Sequence, residues 1–149
     1  MPTKYTSPVD VFLILTRGEE VLLALRRNTG YGDGQWNFPS GKLEDGEAVD
    51  VAMCREAWEE LGLKLTPADL PPPRLLHVRS PEGQGRIGLF YPVELDAARF
   101  GEPVNAEPHK CGGLRWFPLG EAPEGTVPYT AQGWTLWRSG AAYGAAGWG

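Results

Sequence analysis

Glu56, Glu59 and Glu60 stand at i, i+3 and i+4 in the stretch Arg55-Glu56-Ala57-Trp58-Glu59-Glu60-Leu61-Gly62-Leu63. On a helix of 3.6 residues per turn this spacing stacks three carboxylates on one face. Like charges so placed repel and weaken the helix that carries them. A hard divalent cation, which binds through oxygen, removes that penalty and turns the cluster into a site. A solvated acidic face on a surface helix is the competing reading. The residues upstream of the helix decide between the two.

Those residues read Trp36-Asn37-Phe38-Pro39-Ser40-Gly41-Lys42-Leu43-Glu44-Asp45-Gly46-Glu47. Pro39, Gly41 and Gly46 punctuate a loop. Asp45 and Glu47 fall near the expected start of the helix, where the macrodipole favours negative charge. Together Gly41, Glu47, Arg55, Glu56, Glu59, Glu60 and Gly62 fill every fixed position of the pattern G-x5-E-x7-R-E-U-x-E-E-x-G-U. Leu63 is typical of the second apolar position, whereas Ala57 is smaller than the usual aliphatic at the first. The stretch resembles the Nudix box, the signature of the Nudix hydrolases, and the chain is similar to their MutT-like branch. The fold this implies is an α/β/α sandwich around a mixed sheet.

Composition limits the partners. The 149 residues fit one domain, 1–149, large enough for a core without disulfide or metal staples. Hydrophobic residues make up 42% and charged residues 22%, ordinary values for a soluble globular chain. No apolar run reaches the length of a membrane span. Met1-Pro2-Thr3-Lys4-Tyr5 lacks the basic-then-apolar order of a secretory signal. A cytoplasmic, reducing setting is therefore expected. The net charge is −5 and the pI about 5.0. An acidic chain binds polyanions poorly, so a nucleic-acid polymer is not an expected partner. A small nucleotide is, because a bound cation inverts the local field. Monomer and homodimer both stay open.

Cys54 and Cys111 form no C-x-x-C pair, and His109 beside Cys111 does not make a zinc site. Cys54 reads as a small packing residue and His77 as a hydrogen-bonded core residue.

Apolar, β-branched runs predict strands over 9–16 and 21–27, joined by a turn at Arg17-Gly18-Glu19-Glu20. Residues 28–35 form a glycine-spaced loop and 36–38 a short strand. The helix is predicted over Glu47–Leu61, with Gly62 as its C-terminal cap. After the Pro71-Pro72-Pro73 connection come strands over 75–79, 87–93 and 113–117, Pro92 suggesting an edge or a strand end. A second helix is predicted over Thr130–Ser139, and 140–149 as a flexible tail, with Tyr143 and Trp148 the residues able to dock. Strands around one long helix and a late second helix indicate an α+β or α/β fold.

The resemblance implies attack of water on a diphosphate linked to another group, with Mg²⁺ as cofactor and Mn²⁺ as a substitute. Such chemistry needs charge neutralised on the phosphate oxygens and a positioned water. By position in the motif, Glu59 and Glu60 match usual metal ligands, and Glu56 matches a ligand or a base. A backbone carbonyl at Gly41, or near it at Ser40, completes such sites, and Arg55 with Glu47 braces loop against helix. The loop Gly101–Pro108 resembles one that supplies a further metal-binding acid, for which Glu107 is the choice and Glu102 the second. Arg26, Arg27, Arg79 and Arg86 are the candidate phosphate-binding residues. Tyr31, Trp36, Phe38, Phe90, Trp116 and Tyr129 are candidates for stacking on a base. Thr126 stands where an Asn reads the purine in the 8-oxo-dGTP branch. The expected activity is hydrolysis of a nucleoside diphosphate linked to another moiety, a nucleoside triphosphate or its oxidised form foremost. A hydrolase of ADP-ribose or a nucleotide sugar is the enzyme alternative, and a non-catalytic Nudix-fold binding module the other.

Overall fold

A computed structural model describes residues 3–149; Met1 and Pro2, the first residues of the stretch read for a secretory signal, lie outside it. The first half runs β1 (Val9–Arg17), β2 (Glu20–Arg26), β3 (Trp36–Asn37), β4 (Ser40–Lys42) and α1 (Val49–Leu61). The second half runs β5 (Arg74–Arg79), β6 (Gly85–Glu94), α2 (Ala97–Phe100), β7 (Cys111–Pro118), α3 (Pro128–Ser139) and β8 (Tyr143–Ala146).

Strand β1 sorts the molecule into layers. Successive side chains on a strand point to opposite faces. Val11, Leu13 and Leu15 accordingly join Ala52, Met53, Ala57 and Leu61 of α1 in one core. Phe12 and Ile14 join Phe38, Phe90 and Trp134 in a second core, beneath α3. A strand buried on both faces reads as an unbroken apolar run, as Val11-Phe12-Leu13-Ile14-Leu15 does. The product is an α/β/α sandwich.

The strand order is β3-β2-β1-β6-β5-β8, with β4 added beside β1 and β7 beside β2. The β1–β6 and β5–β8 pairs are parallel and the other pairs antiparallel, so the sheet is mixed.

Three details differ from the sequence expectations. First, α1 starts at Val49 rather than Glu47, because the Glu47 carboxylate accepts the Glu44 N–H at 2.8 Å and closes the preceding loop. Second, Pro92 lies inside β6, an interior strand. The Leu95 N–H reaches Thr16 O and the Ile87 N–H reaches Pro8 O, so odd-numbered residues of β6 bond toward β1. Pro92 therefore faces the β5 side, and β5 extends only to the Arg74↔Phe90 pair. Its missing N–H has no ladder to break. Third, the expected loose tail from Gly140 forms β8 on the edge of β5, Leu75 pairing with Tyr143 and Val78 with Ala146. Beyond it, Trp148 packs on His77 at 4.4 Å between ring centroids and donates its indole N–H to the His77 carbonyl.

Candidate active site

Helix α1 ends where the chemistry begins. Gly62 adopts the left-handed conformation (φ 68°) and returns its N–H to the last turn, which ends the helix beside Glu60. The next passing segment is tied to that end. The Val104 N–H reaches Leu61 O at 2.9 Å, and the Ala106 N–H reaches Glu60 O at 3.1 Å. Glu107 is thereby carried close enough that its charge acts on Glu60.

Strand β4 closes the other side. The Leu13 N–H reaches Pro39 O and the Leu43 N–H reaches Val9 O, so odd-numbered residues here turn their backbone into the sheet. Even-numbered residues face α1. The Ser40 N–H donates to Glu60 Oε2 at 3.1 Å, and the Lys42 carbonyl accepts from Arg55 at 3.2 Å. By this register the Ser40 backbone, the other position the sequence offered, turns toward the carboxylates, and the Gly41 backbone turns into the sheet. Gly41 serves by lacking a side chain, since a Cβ there would overlap the Glu56 carboxyl group.

Arg55 organises the acids around it. It donates to Glu47 through Nε at 3.1 Å and Nη2 at 2.8 Å, and through Nη1 to Glu56 at 2.8 Å and Glu59 at 3.2 Å. The Arg55 guanidinium holds the Glu47 carboxyl below its ordinary range. Burial pushes Glu56 up, against the opposing pull of Arg55. Glu60 is pushed well above the usual carboxylate range, first by burial and then by the charges of Glu56 and Glu107. Glu59 is half-exposed and turned to Arg55. Among the described residues no three acidic, histidine or cysteine side chains already close around a common point in ion-holding geometry.

The donor set nevertheless fits a hard cation. It consists of carboxylate oxygens and one outward carbonyl, with the backbone of β4 held against Glu56 by the absent Gly41 side chain. A buried carboxylate pair so raised is the arrangement that a divalent ion would discharge.

The four arginines do not gather here. Arg86 makes a two-pronged bond to Asp10 (2.9 and 2.7 Å), which also accepts from the Tyr129 hydroxyl at 3.1 Å. Arg27 bonds the Pro108 carbonyl, and the adjacent Asn28 donates to His109 O at 2.9 Å. That end of β2 therefore anchors the Glu107 loop. Arg26 curls over the exposed ring of Tyr31, 5.4 Å from its centroid, and donates to Tyr31 O. Arg79 sits at the β5–β6 turn, three strands across from Gly41 (roughly 14 Å) and four residues further along β5 (about 13 Å) than the residue in Gly41's row. Of the aromatic candidates, Phe38 and Phe90 are buried, and Trp36 and Tyr129 pack against the same core. Arg17 covers Trp116 at 4.2 Å, which leaves Tyr31 as the open ring. Thr126 gives its hydroxyl proton to Pro123 O at 2.6 Å.

One group escaped the sequence reading. Asp10, 6% exposed, lay within an apolar run, and a lone acid in such a run is the signal that could have marked it.

A family model described as the NUDIX domain matches residues 4–137, and the chain belongs to that family. It is 46% identical over 52 residues to an RNA pyrophosphohydrolase of Tolumonas auensis, a match covering 35% of this chain and 28% of the relative. It is 38% identical over 58 residues to an 8-oxo-dGTP diphosphatase of Proteus vulgaris, covering 39% of this chain and 52% of the relative. Each match thus spans well under two thirds of the relative. Among solved structures it is similar to a MutT NUDIX hydrolase from Burkholderia pseudomallei, with 28% identity and a TM-score of 0.70, covering 88% of this chain and 98% of that one.

Proposed function

We propose that this chain is a Mg²⁺-dependent pyrophosphohydrolase that cleaves a nucleoside diphosphate linked to another moiety, a nucleoside triphosphate or its oxidised form. The observation that carries the reading is the convergence of Glu56 and Glu60 with the Ser40 backbone on one side and the Glu107 loop on the other. Glu56, Glu60, Glu107 and the Ser40 carbonyl are the groups that would hold the cation, with Glu59 joining them by turning away from Arg55. Bound there, Mg²⁺ would neutralise charge on the diphosphate and lower the pKa of a water. Arg55 keeps the carboxylates ordered, and its bonds to Glu47 and to the Lys42 carbonyl fix the loop that follows β4. Arg26 at the end of β2 and Tyr31 in the loop that follows lie side by side and supply a cation and a flat ring for the nucleotide. The acidic overall charge supports a small nucleotide over a nucleic-acid polymer.

The test is release of phosphate or pyrophosphate with Mg²⁺ across nucleoside triphosphates, 8-oxo-dGTP, ADP-ribose and nucleotide sugars, beside a Glu60→Gln control. Selective turnover of a triphosphate that the control loses supports the proposal. Turnover confined to ADP-ribose or a nucleotide sugar replaces its substrate. Folded protein that binds nucleotide and turns over none of the panel makes it a binding module.

A further inference from the structure

Among the described residues the buried polar side-chain atoms are matched, with one exception. Asp10 has Arg86 and Tyr129, and Asn37 has Ser40 and Thr130. Among the described residues, the single buried side-chain nitrogen or oxygen without a partner is Oδ1 of Asn105. An unpaired buried acceptor is costly, and in a native fold it asks for a water or an ion.

Its surroundings say which. Residues 104 and 106, on either side, bond the carbonyls of Leu61 and Glu60 at the end of α1. Val104 and Ala106 are exposed, whereas Asn105 and Glu107 between and after them turn inward, as alternation along an extended segment requires. Asn105 and Glu107 therefore share the inner side of the loop. The amide is also oriented, because Nδ2 donates to Cys111 O at 2.9 Å at the start of β7, leaving Oδ1 for the interior. A neutral oxygen adds no charge to a cluster already burdened with carboxylates. Mg²⁺ in such sites keeps several of its waters, and each needs an acceptor.

We propose that Asn105 is a positioning residue of the site: Nδ2 latches the loop to β7, and Oδ1 accepts a hydrogen bond from a water that the bound cation retains. This inference rests on the metal-dependent reading above and adds a neutral second-layer group to it.

The experiment is Mn²⁺ binding followed by electron paramagnetic resonance of the free ion, with thermal unfolding of the metal-free protein alongside. Wild type, Asn105→Leu, Asn105→Asp and Glu60→Gln are compared at one ionic strength, because salt screens a partly buried charge such as the Asp variant's only weakly. Asn105→Leu is expected to weaken Mn²⁺ binding by ~10-fold or more, while Asn105→Asp, which keeps the oxygen, loses the donor and adds a charge that attracts the cation, binds at least as tightly as wild type to within ~3-fold. Equal weakening in both reduces Asn105 to a latch and overturns the proposal. So does wild-type binding by Asn105→Leu accompanied only by a lower unfolding temperature. Asn105→Ala takes the place of the Leu variant if that one does not fold. Wild type that binds no Mn²⁺, or Glu60→Gln that binds it equally well, overturns the metal-dependent reading itself and this inference with it.

Discussion

Gly41 has no side chain because Glu56 occupies the space one would need. Gly41→Ala is expected to push the Glu56 carboxylate aside and lower kcat/KM by ~100-fold, the usual cost of displacing a reacting group by about 1 Å. Circular dichroism of the variant should stay native. Glu60 makes the opposite kind of prediction. Its folded pKa lies above the ordinary value, so its contribution to stability is full below that ordinary value and is lost as pH rises through the folded one. Metal-free protein should accordingly lose stability from this group as the pH rises from acid toward neutrality. Glu60→Gln should remove that dependence and raise the neutral-pH Tm of metal-free protein by roughly 3 °C per kcal/mol relieved. A Tm lowered by the substitution would contradict the assigned burial and repulsion.

At the scale of elements, the site is a junction of α1, β4 and the 101–110 loop, the last fastened at both ends. One end bonds the last turn of α1, and the other is held by Arg27 and Asn28 at the end of β2. Arg27→Ala is expected to loosen the loop and weaken Mn²⁺ affinity ~10-fold with little change in global Tm, a change measurable by calorimetry. Unaltered metal affinity would mean that the α1 end alone suffices. The Glu56, Glu59 and Glu60 face and the Arg55–Glu47 pair were legible because helical spacing and a local motif encode them. The choice between the Ser40 and Gly41 carbonyls was not, because three residues of β4 carry too little pattern to be read as a strand. The four arginines were named by residue type, and type does not record that Asp10 waits for Arg86 or Pro108 O for Arg27. Tyr143–Ala146 looked loose because Gly144 and two alanines carry weak strand preference, yet the exposed edge of β5 recruits them.

At the scale of the whole molecule, two cores on opposite faces of one sheet separate stability from chemistry. The carboxylates grow from the α1 side, while β8 and the Trp148–His77 contact close the far edge beside α3. Deleting residues 141–149 should uncover β5 and lower Tm by roughly 3–10 °C, leaving kcat close to wild type. A truncated protein that is equally stable would show that β8 adds no packing energy. Glu60 and Glu107, brought near one another at the end of α1, are expected to hold the cation on which diphosphate cleavage depends. Steady-state turnover of the preferred triphosphate as a function of Mg²⁺, for wild type, Glu60→Gln and Glu107→Gln, tests that assignment most directly. Turnover should vanish in chelator, rise saturably with Mg²⁺, fall at least ~100-fold in Glu60→Gln, and need more Mg²⁺ in Glu107→Gln. Turnover that persists in chelator, or a Glu60→Gln enzyme as fast as wild type, would contradict it.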